Sequence, residues 1–194
     1  MEYAPLEVEK MLGSMVILVD TREQPGREFE KRSEGFCCPF ERVKLDFGDY
    51  SCAFTNLFGK RERLDHIVAI ERKMDANELG LCFGKERPRF KREFERAKEM
   101  GARLYLLVED ESWEKIYSGR YGSGEKFRCK LNPKAMISSI LAWTPRYNMQ
   151  HLFCKKETTG MLIRDILYYE LKELLESGRH EPVKESEPCL KLDT

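Results

Sequence analysis

The sequence lacks both a net charge and any apolar run long enough to cross a bilayer. Its 34 basic residues are balanced by 34 acidic residues, so no overall field attracts a polyanion and any nucleic-acid surface has to be local. A membrane helix needs roughly 20 apolar residues and a signal peptide needs an apolar core near the N-terminus, and neither pattern is present. These absences predict a cytoplasmic protein that does not enter a membrane.

The sequence also lacks the cysteine and histidine patterns of disulfide-rich or zinc-binding proteins. Seven cysteines are an odd number, and no two of them form a C-x-x-C pair, which argues against a disulfide framework and a zinc ribbon. The three histidines have no second ligand residue at metal-binding spacing. Free cysteines suit a reducing compartment, which again predicts the cytoplasm.

What is present is the composition of one globular domain. The 194 residues are 41% hydrophobic, which suits a single domain with a full core, and the chain contains no repeat or low-complexity tract. We expect the domain to extend over 15–178. Residues 1–14 are predicted to form a leader, either a short helix or a frayed segment, and 179–194 a disordered polar tail.

Two acids and a lysine follow predicted strands in the first half of the chain. The apolar run 66–70 predicts a buried strand, and Glu71 and Lys73 stand at its end. Because strand side chains alternate, Glu71 and Lys73 share one face and Arg72 points the other way. A second predicted strand begins beside Asp49, after a glycine that permits a tight turn. Antiparallel pairing of the two strands would bring Asp49 beside Glu71.

This combination is typical of a metal-dependent site. Two clustered carboxylates repel each other unless a cation offsets them, and Mg²⁺ does so while also binding a phosphodiester. Lys73 would orient the attacking water or stabilise charge on the phosphate oxygens. In so charged a sequence, however, the triplet Glu71-Arg72-Lys73 is by itself more typical of a solvated, salt-bridged strand end.

Three motifs in order favour the first interpretation: Val19-Asp20-Thr21-Arg22-Glu23, Gly48-Asp49-Tyr50 and Ile70-Glu71-Arg72-Lys73. The set resembles the nuclease domain of the XPF-type structure-specific endonucleases, a branch of the restriction-endonuclease-like PD-(D/E)xK nucleases. The motifs cover 15–110, with a looser likeness to about residue 177. The resemblance implies a three-layer α/β/α fold with a central mixed sheet. It also implies Mg²⁺-dependent hydrolysis of DNA phosphodiesters at branched, flapped or distorted structures, with Mn²⁺ able to replace Mg²⁺.

The resemblance also implies individual roles. Asp49 and Glu71 would be metal ligands, with Asp20 as a further candidate ligand that could instead cap the turn after its strand. Lys73 would be the catalytic lysine and Arg72 part of the catalytic set. The residues given supporting roles are Arg22 and Glu23.

One position departs from the family pattern. The family usually has an acid four residues after the lysine, where this chain has Asn77, flanked by Asp75 and Glu78. The pair Asp75 and Glu78 is also typical of a capping box at the start of a helix. The departure keeps one alternative function open, a DNA-binding module of the same fold without turnover. A second alternative, independent of this position, is a restriction enzyme or junction resolvase. XPF-type enzymes commonly add a tandem helix-hairpin-helix module, which this sequence lacks, so a homodimer or a separate DNA-targeting partner is expected.

Two basic segments are candidates for DNA contact. The helix predicted over 88–100 places Arg89, Arg92 and Arg96 on one face, although an ordinary solvated helix would show the same pattern. The glycine-rich segment 118–130 interleaves aromatic and basic residues and could close over DNA, or be a plain loop. Its candidate contacts are Arg120, Lys126 and Arg128.

The remaining pattern predicts an alternating α/β chain. The strand at 66–70 should join the strand at 103–108 by a parallel β-α-β crossover. Segments 24–40 and 55–65 are predicted to be connections without secondary structure. Further strands are predicted at 15–19, 43–47 and 150–154, and further helices at 75–83, 112–117, 132–143 and 159–176.

Overall fold

The computed structural model describes residues 3–120 and 131–180. It contains a seven-stranded mixed sheet in the order β2-β1-β3-β5-β6-β7, with β4 paired to β3. The strands are β1 (Val16–Asp20), β2 (Phe40–Val43), β3 (Tyr50–Thr55), β4 (Arg61–Arg63), β5 (Val68–Lys73), β6 (Arg103–Glu109) and β7 (Met149–Cys154). The helices are α1 (Pro5–Leu12), α2 (Arg27–Glu34), α3 (Ala76–Phe83), α4 (Arg87–Glu99), α5 (Trp113–Ser118), α6 (Pro133–Tyr147) and α7 (Thr159–Glu176).

Helices cover both faces of the sheet, which confirms the predicted three-layer α/β/α fold. One core lies between the sheet and helices α1, α2 and α7, with Ile70 and Leu167 fully buried in it. The other lies under α3, α4 and α6 around Phe94 and Trp143. Neighbouring residues of one strand, such as Ala69 and Ile70, enter opposite cores, as strand alternation requires.

The strand directions gather several chain segments at one edge of the sheet. Strands β1, β5, β6 and β7 are parallel, and β3 runs antiparallel between β1 and β5. The predicted crossover from β5 to β6 is confirmed. The carboxyl ends of the parallel strands and the start of β3 therefore meet at the same edge, which is where ligands bind in open α/β sheets.

Two predicted connections and one predicted strand were wrong. Segment 24–40 contains α2, which was missed because its residues are charged and only Phe29 and Arg32 are buried. The strand predicted at 43–47 lies at Phe40–Val43 instead, since the main-chain N–H of Leu45 donates to Asp20 rather than to a strand. Segment 55–65 includes β4, a short charged edge strand held by backbone pairing to β3.

Helix α6 was predicted to end at Thr144-Pro145, but it continues to Tyr147. Proline removes one backbone hydrogen bond near the end of the helix, where the loss is limited to the last turn. Trp143 and Tyr147 are both buried in one aromatic cluster with rings 5.0 Å apart, and this packing keeps the last turn helical.

Both chain ends of the described region pack onto the domain. The predicted leader includes α1, which places Val8, Met11 and Leu12 in the first core against α7. His180, assigned to the tail, is 6% exposed and lies 2.7 Å from Glu62. Residues 1–2 and 181–194 are outside the described residues. Across 3–120 and 131–180, no helix combines the length and hydrophobicity needed to cross a membrane.

Candidate active site

An open cleft of about 600 Å³ lies at the sheet edge where the parallel strands end. The first turn of α2 lines it, together with Arg89 and Glu93 of α4. Its floor contains Asp49 and the end of β5, Glu71 through Lys73. The structure therefore brings the predicted acid pair and lysine into one concave site, the usual form of a binding site.

Backbone pairing sets the spacing of the two acids. The N–H of Asp49 donates to the carbonyl of Ile70 at 2.8 Å, and the N–H of Arg72 donates to Oδ2 of Asp49 at 2.8 Å. Lys73 forms an ion pair with Oε1 of Glu71, so the predicted shared face of these two residues is confirmed. Nζ of Lys73 also lies 5.3 Å from the centroid of the Phe90 ring on α4.

Gly48 makes this close approach of β3 to β5 possible. Its φ of 71° lies in the left-handed region that favours glycine. A Cβ at this position would lie 2.9 Å from Cβ of Ala69 and 3.2 Å from the carbonyl oxygen of Ile70. Both conformation and space therefore require glycine directly before Asp49.

The electrostatics of the site are those of crowded acids beside one base. Burial, and then repulsion from Glu71, raises the pKa of Asp49 to about 8. Burial also raises the pKa of Glu71, against the opposing effect of Lys73. Burial alone would lower the pKa of Lys73, but Glu71 and Asp49 outweigh it, so that pKa is raised and the amine stays protonated. With both acids ionised, two carboxylates face one ammonium group, so the site attracts a further cation.

Asp20 lies at the same edge but its carboxylate is already bonded. Oδ1 accepts hydrogen bonds from the backbone N–H of Arg22 at 2.8 Å and from its Nε at 2.6 Å, while Oδ2 accepts from the N–H of Leu45 at 2.7 Å. Burial would raise the pKa of Asp20, but these hydrogen bonds outweigh it and lower that pKa. These are the contacts expected if Asp20 caps the turn after its strand, and Asp20 does not line the cleft.

The two residues with predicted supporting roles both line the cleft. Arg22 extends from Asp20 to Glu93, which it contacts at 3.2 Å. Glu23 accepts a hydrogen bond from the Tyr50 hydroxyl at 3.0 Å and pairs with Arg32 of α2.

Arg72 points into the opposite layer, as predicted, and is paired there with an acid that was not predicted. Its Nε and Nη2 donate to the two carboxylate oxygens of Glu109 at 2.9 and 2.6 Å, and Glu109 is fully buried. Glu109 ends strand β6, so the rule that strand ends hold site residues would have found it. No sequence signal marked Arg32, because its partners are distant in the chain.

Asp75 caps α3 as predicted. Its Oδ1 accepts from the N–H groups of Asn77 and Glu78 at 2.8 and 2.9 Å. Oε2 of Glu78 accepts a hydrogen bond from the backbone N–H of Met74 at 2.7 Å, and not from that of Asp75. Its other oxygen lies 3.7 Å from Nζ of Lys73, and Glu78 lines the cleft. A carboxylate therefore does stand near the lysine, although Asn77 holds the position of the family acid.

The predicted DNA-contacting arginines of α4 have different surroundings. Arg89 is exposed, pairs with Glu86 at 3.0 Å and lines the cleft. Arg92 is exposed and makes no hydrogen bond or ion pair within the described part of the chain. Arg96 donates to the main-chain carbonyl of Asp46 at 3.0 and 2.9 Å, which docks α4 onto the segment before Gly48.

The second basic segment is only partly described. Arg120 is exposed, directly after α5. Lys126 and Arg128 lie outside the described residues, as does the rest of 121–130.

The chain matches one family model and is similar in fold to solved structures. A family model described as the ERCC4 domain matches residues 19–164. The structure of XPF from Aeropyrum pernix superimposes with a TM-score of 0.56 at 14% identity, covering 84% of this chain and 69% of that one. XPF from Aeropyrum pernix in complex with DNA superimposes with a TM-score of 0.53 at 15% identity, covering 87% and 68%. No curated protein matches the chain.

Proposed function

Because the chain belongs to the ERCC4 domain family, whose model matches 19–164, we propose that it is an endonuclease that hydrolyses DNA phosphodiesters at branched, flapped or distorted structures. The family match confirms the resemblance to XPF-type nuclease domains. The observation that most supports hydrolysis is the meeting of Asp49, Glu71 and Lys73 on the floor of an open cleft. The likeness to an XPF chain in complex with DNA supports DNA as the substrate.

The donor set fits Mg²⁺, and we expect Mn²⁺ to substitute for it. Oδ1 of Asp49 and Oε2 of Glu71 accept no hydrogen bond from residues 3–120 or 131–180. Within the same ranges, no three histidine, cysteine or acidic side chains are placed to share an ion. Mg²⁺ is usually bound by one or two carboxylates with waters and substrate phosphates, whereas zinc needs at least three protein ligands. When bound, the ion would make a water molecule more acidic and offset charge on the phosphate.

The residues of the chain have separate tasks in this proposal. Lys73 stays protonated between Glu71 and the cleft and stabilises negative charge that develops on the phosphate oxygens. Arg22 and Arg89 are exposed and both line the cleft. They would bind phosphates next to the reacting one and set the position of the strand.

A panel of labelled DNA structures with the same sequence tests this proposal. Flap, fork, four-way junction and linear duplex should be incubated with Mg²⁺, Mn²⁺ or EDTA. We expect cleavage of the branched forms with either metal and none with EDTA. Equal cleavage of the linear duplex would favour a restriction-type enzyme, and binding without cleavage would favour a DNA-binding module.

The assembly and location are part of the same proposal. We expect a homodimer or a separate DNA-targeting protein to supply further contacts with the substrate, and we expect the protein to act in the cytoplasm. Light scattering of the purified chain at several concentrations, with and without branched DNA, measures whether it forms a homodimer.

Lys73 and Arg72 should differ sharply when each is replaced by alanine. Lys73→Ala should lower turnover by about 10²-fold or more with little loss of DNA affinity, since it removes a charge aimed at the reacting phosphate. Arg72→Ala leaves the buried Glu109 carboxylate without its bidentate partner. Its free energy of unfolding should therefore fall by about 3 to 5 kcal/mol. Single-turnover kinetics and denaturant titration measure the two effects, and equal losses of turnover at unchanged stability would contradict the assignment.

Arg92 provides a test of phosphate binding by α4. Removing one arginine that neutralises a phosphate should flatten the slope of log affinity against log salt by about 0.9 on duplex DNA. Arg92→Ala is the informative variant because Arg92 is exposed, whereas Arg96 holds the Asp46 carbonyl and its replacement would also disturb the fold. Affinity should fall equally for all sequences, since phosphate contacts do not distinguish bases.

The matched control for this measurement is Lys172→Ala. Lys172 lies on α7 and pairs with Glu176 one turn away at 3.7 Å, so its replacement removes the same charge from a different helix. An unchanged slope in Arg92→Ala, equal to that of Lys172→Ala, would show that Arg92 does not neutralise a phosphate. An unchanged slope in the triple alanine variant of Arg89, Arg92 and Arg96 as well would show that α4 is a solvated surface and would direct attention to 118–130.

A further inference from the structure

A buried ionic network joins α2 to the strands beside the two acids. Arg32 is the one charged residue of α2 that is buried, at 6% exposure. Its Nε donates to the Tyr50 hydroxyl at 2.9 Å, its Nη2 donates to Glu23, and its Nη1 lies 3.8 Å from Glu109. One guanidinium therefore connects a helix with three separate segments of the sheet edge.

Arg72 uses the same two acids. It is bidentate on Glu109, and its Nη1 lies 3.8 Å from the oxygen of Glu23 that Arg32 and Tyr50 also contact. Two cations thus share two anions, and the network is neutral as a unit. Removing one member leaves a buried charge unmatched, so its geometry is held more tightly than that of a surface pair.

The network touches the residues next to the acids, not the acids themselves. Tyr50 directly follows Asp49, and Arg72 directly follows Glu71. The backbone N–H of Arg72 donates to Oδ2 of Asp49 at 2.8 Å. Because neighbouring strand residues point to opposite faces, holding Tyr50 and Arg72 on the α2 side sets the direction of Asp49 and Glu71 on the other.

We propose that Arg32 is a positioning residue of the active site, which holds Asp49 and Glu71 in their reactive arrangement through Tyr50, Glu23 and Arg72. The inference rests on the proposed nuclease function. It requires the planar fork of arginine, since a lysine amine cannot reach the Tyr50 hydroxyl and the Glu23 carboxylate with separate N–H groups in fixed directions. Lysine retains the positive charge, so Arg32→Lys separates geometry from charge.

The experiment compares Arg32→Lys with Arg42→Lys. Arg42 is exposed and tethers the same segment through the main-chain carbonyls of Thr21 and Glu23. Its guanidinium also lies 5.4 Å from the centroid of the Phe29 ring on α2, so Arg42→Lys controls for loosening of that segment and of α2. Cleavage of the branched DNA gives kcat and KM. Amide hydrogen exchange, followed by NMR in the metal-free protein, reports whether the Arg72 N–H remains bonded to Asp49.

For Arg32→Lys we expect kcat to fall on the order of tenfold or more, with KM within about twofold. Exchange of the Arg72 amide should accelerate by a similar factor. For Arg42→Lys both quantities should stay within about twofold of the wild type. A role confined to folding would change stability without lowering kcat in the folded variant, so the split between kcat and KM identifies positioning.

If Arg32→Lys does not fold, Tyr50→Phe replaces it, since it removes one hydroxyl from the network and keeps the buried ring. Wild-type kcat and exchange in the folded variant, or equal losses in Arg42→Lys, would overturn the proposal. If the wild-type protein cleaves no DNA with either metal, the nuclease function fails. The exchange comparison still decides whether Arg32 fixes the contact between Arg72 and Asp49.

Discussion

Replacing Asp49 by asparagine, or Glu71 by glutamine, is expected to abolish DNA cleavage while the protein remains folded. Each change removes one of the two carboxylates on the cleft floor but preserves its shape. Loss of a metal ligand should remove several kcal/mol of transition-state stabilisation, so turnover should fall by about 10³-fold or more. Single-turnover cleavage of the branched substrate at saturating protein measures the effect.

The same substitution, Asp49→Asn, should preserve or increase the stability of the fold. The pKa of Asp49 is raised in the fold from its ordinary value of 3.8 to about 8, so the folded state disfavours the ionised form. Such a group reduces stability progressively as pH rises from about 4 to about 8, because the unfolded chain loses its proton first. Asp49→Asn removes this penalty and should unfold at an equal or higher temperature than the metal-free wild type at pH 8.

The control is Asp46→Asn. Asp46 is an exposed acid three residues before Asp49, and the contact made to it by Arg96 uses only its main-chain carbonyl. Its replacement should leave turnover within about twofold. Cleavage at the wild-type rate by a folded Asp49→Asn or Glu71→Gln protein would show that the acid in question does not bind the metal.

A large loss of stability is also expected from Gly160→Ala. Gly160 lies at the start of α7, where the helix crosses the end of α2, and a Cβ there would stand 2.0 Å from the carbonyl oxygen of Arg32 and 3.1 Å from Cα of Gly35. Both obstacles are backbone atoms, so no side-chain rotation can relieve the overlap. We expect a loss of about 3 kcal/mol or more and a melting temperature lower by about 10 °C for a domain of this length.

Gly13→Ala is the matched control. Gly13 ends α1 with a φ of −62°, which alanine adopts without strain, and its added Cβ would meet the nearest atom at an ordinary 3.4 Å. Its melting temperature should stay within about 2 °C of the wild type or rise. A Gly160→Ala protein as stable as Gly13→Ala would show that α2 and α7 can separate freely. Because α2 contains Arg32, we also expect turnover of Gly160→Ala to fall.

Local patterns were enough to predict the centre of the site. The apolar run before Glu71 identified β5, alternation placed Glu71 and Lys73 on one face, and the glycine before Asp49 indicated a tight turn, where Gly48 has a φ of 71°. All three expectations agree with the observed geometry. They succeeded because the periodicity of a strand and the conformation of a glycine are properties of a few neighbouring residues.

What the tertiary structure decided is which charged groups become partners. The sequence could not show that Asp20 bonds the N–H of Leu45, that Arg96 holds the carbonyl of Asp46, or that Arg32 belongs to the site. Each contact joins segments that are distant in the chain, and in a sequence that is 35% charged every arginine has many possible acids. Burial selects among them, because an ion pair away from water persists only where the fold brings both charges and their remaining hydrogen bonds together.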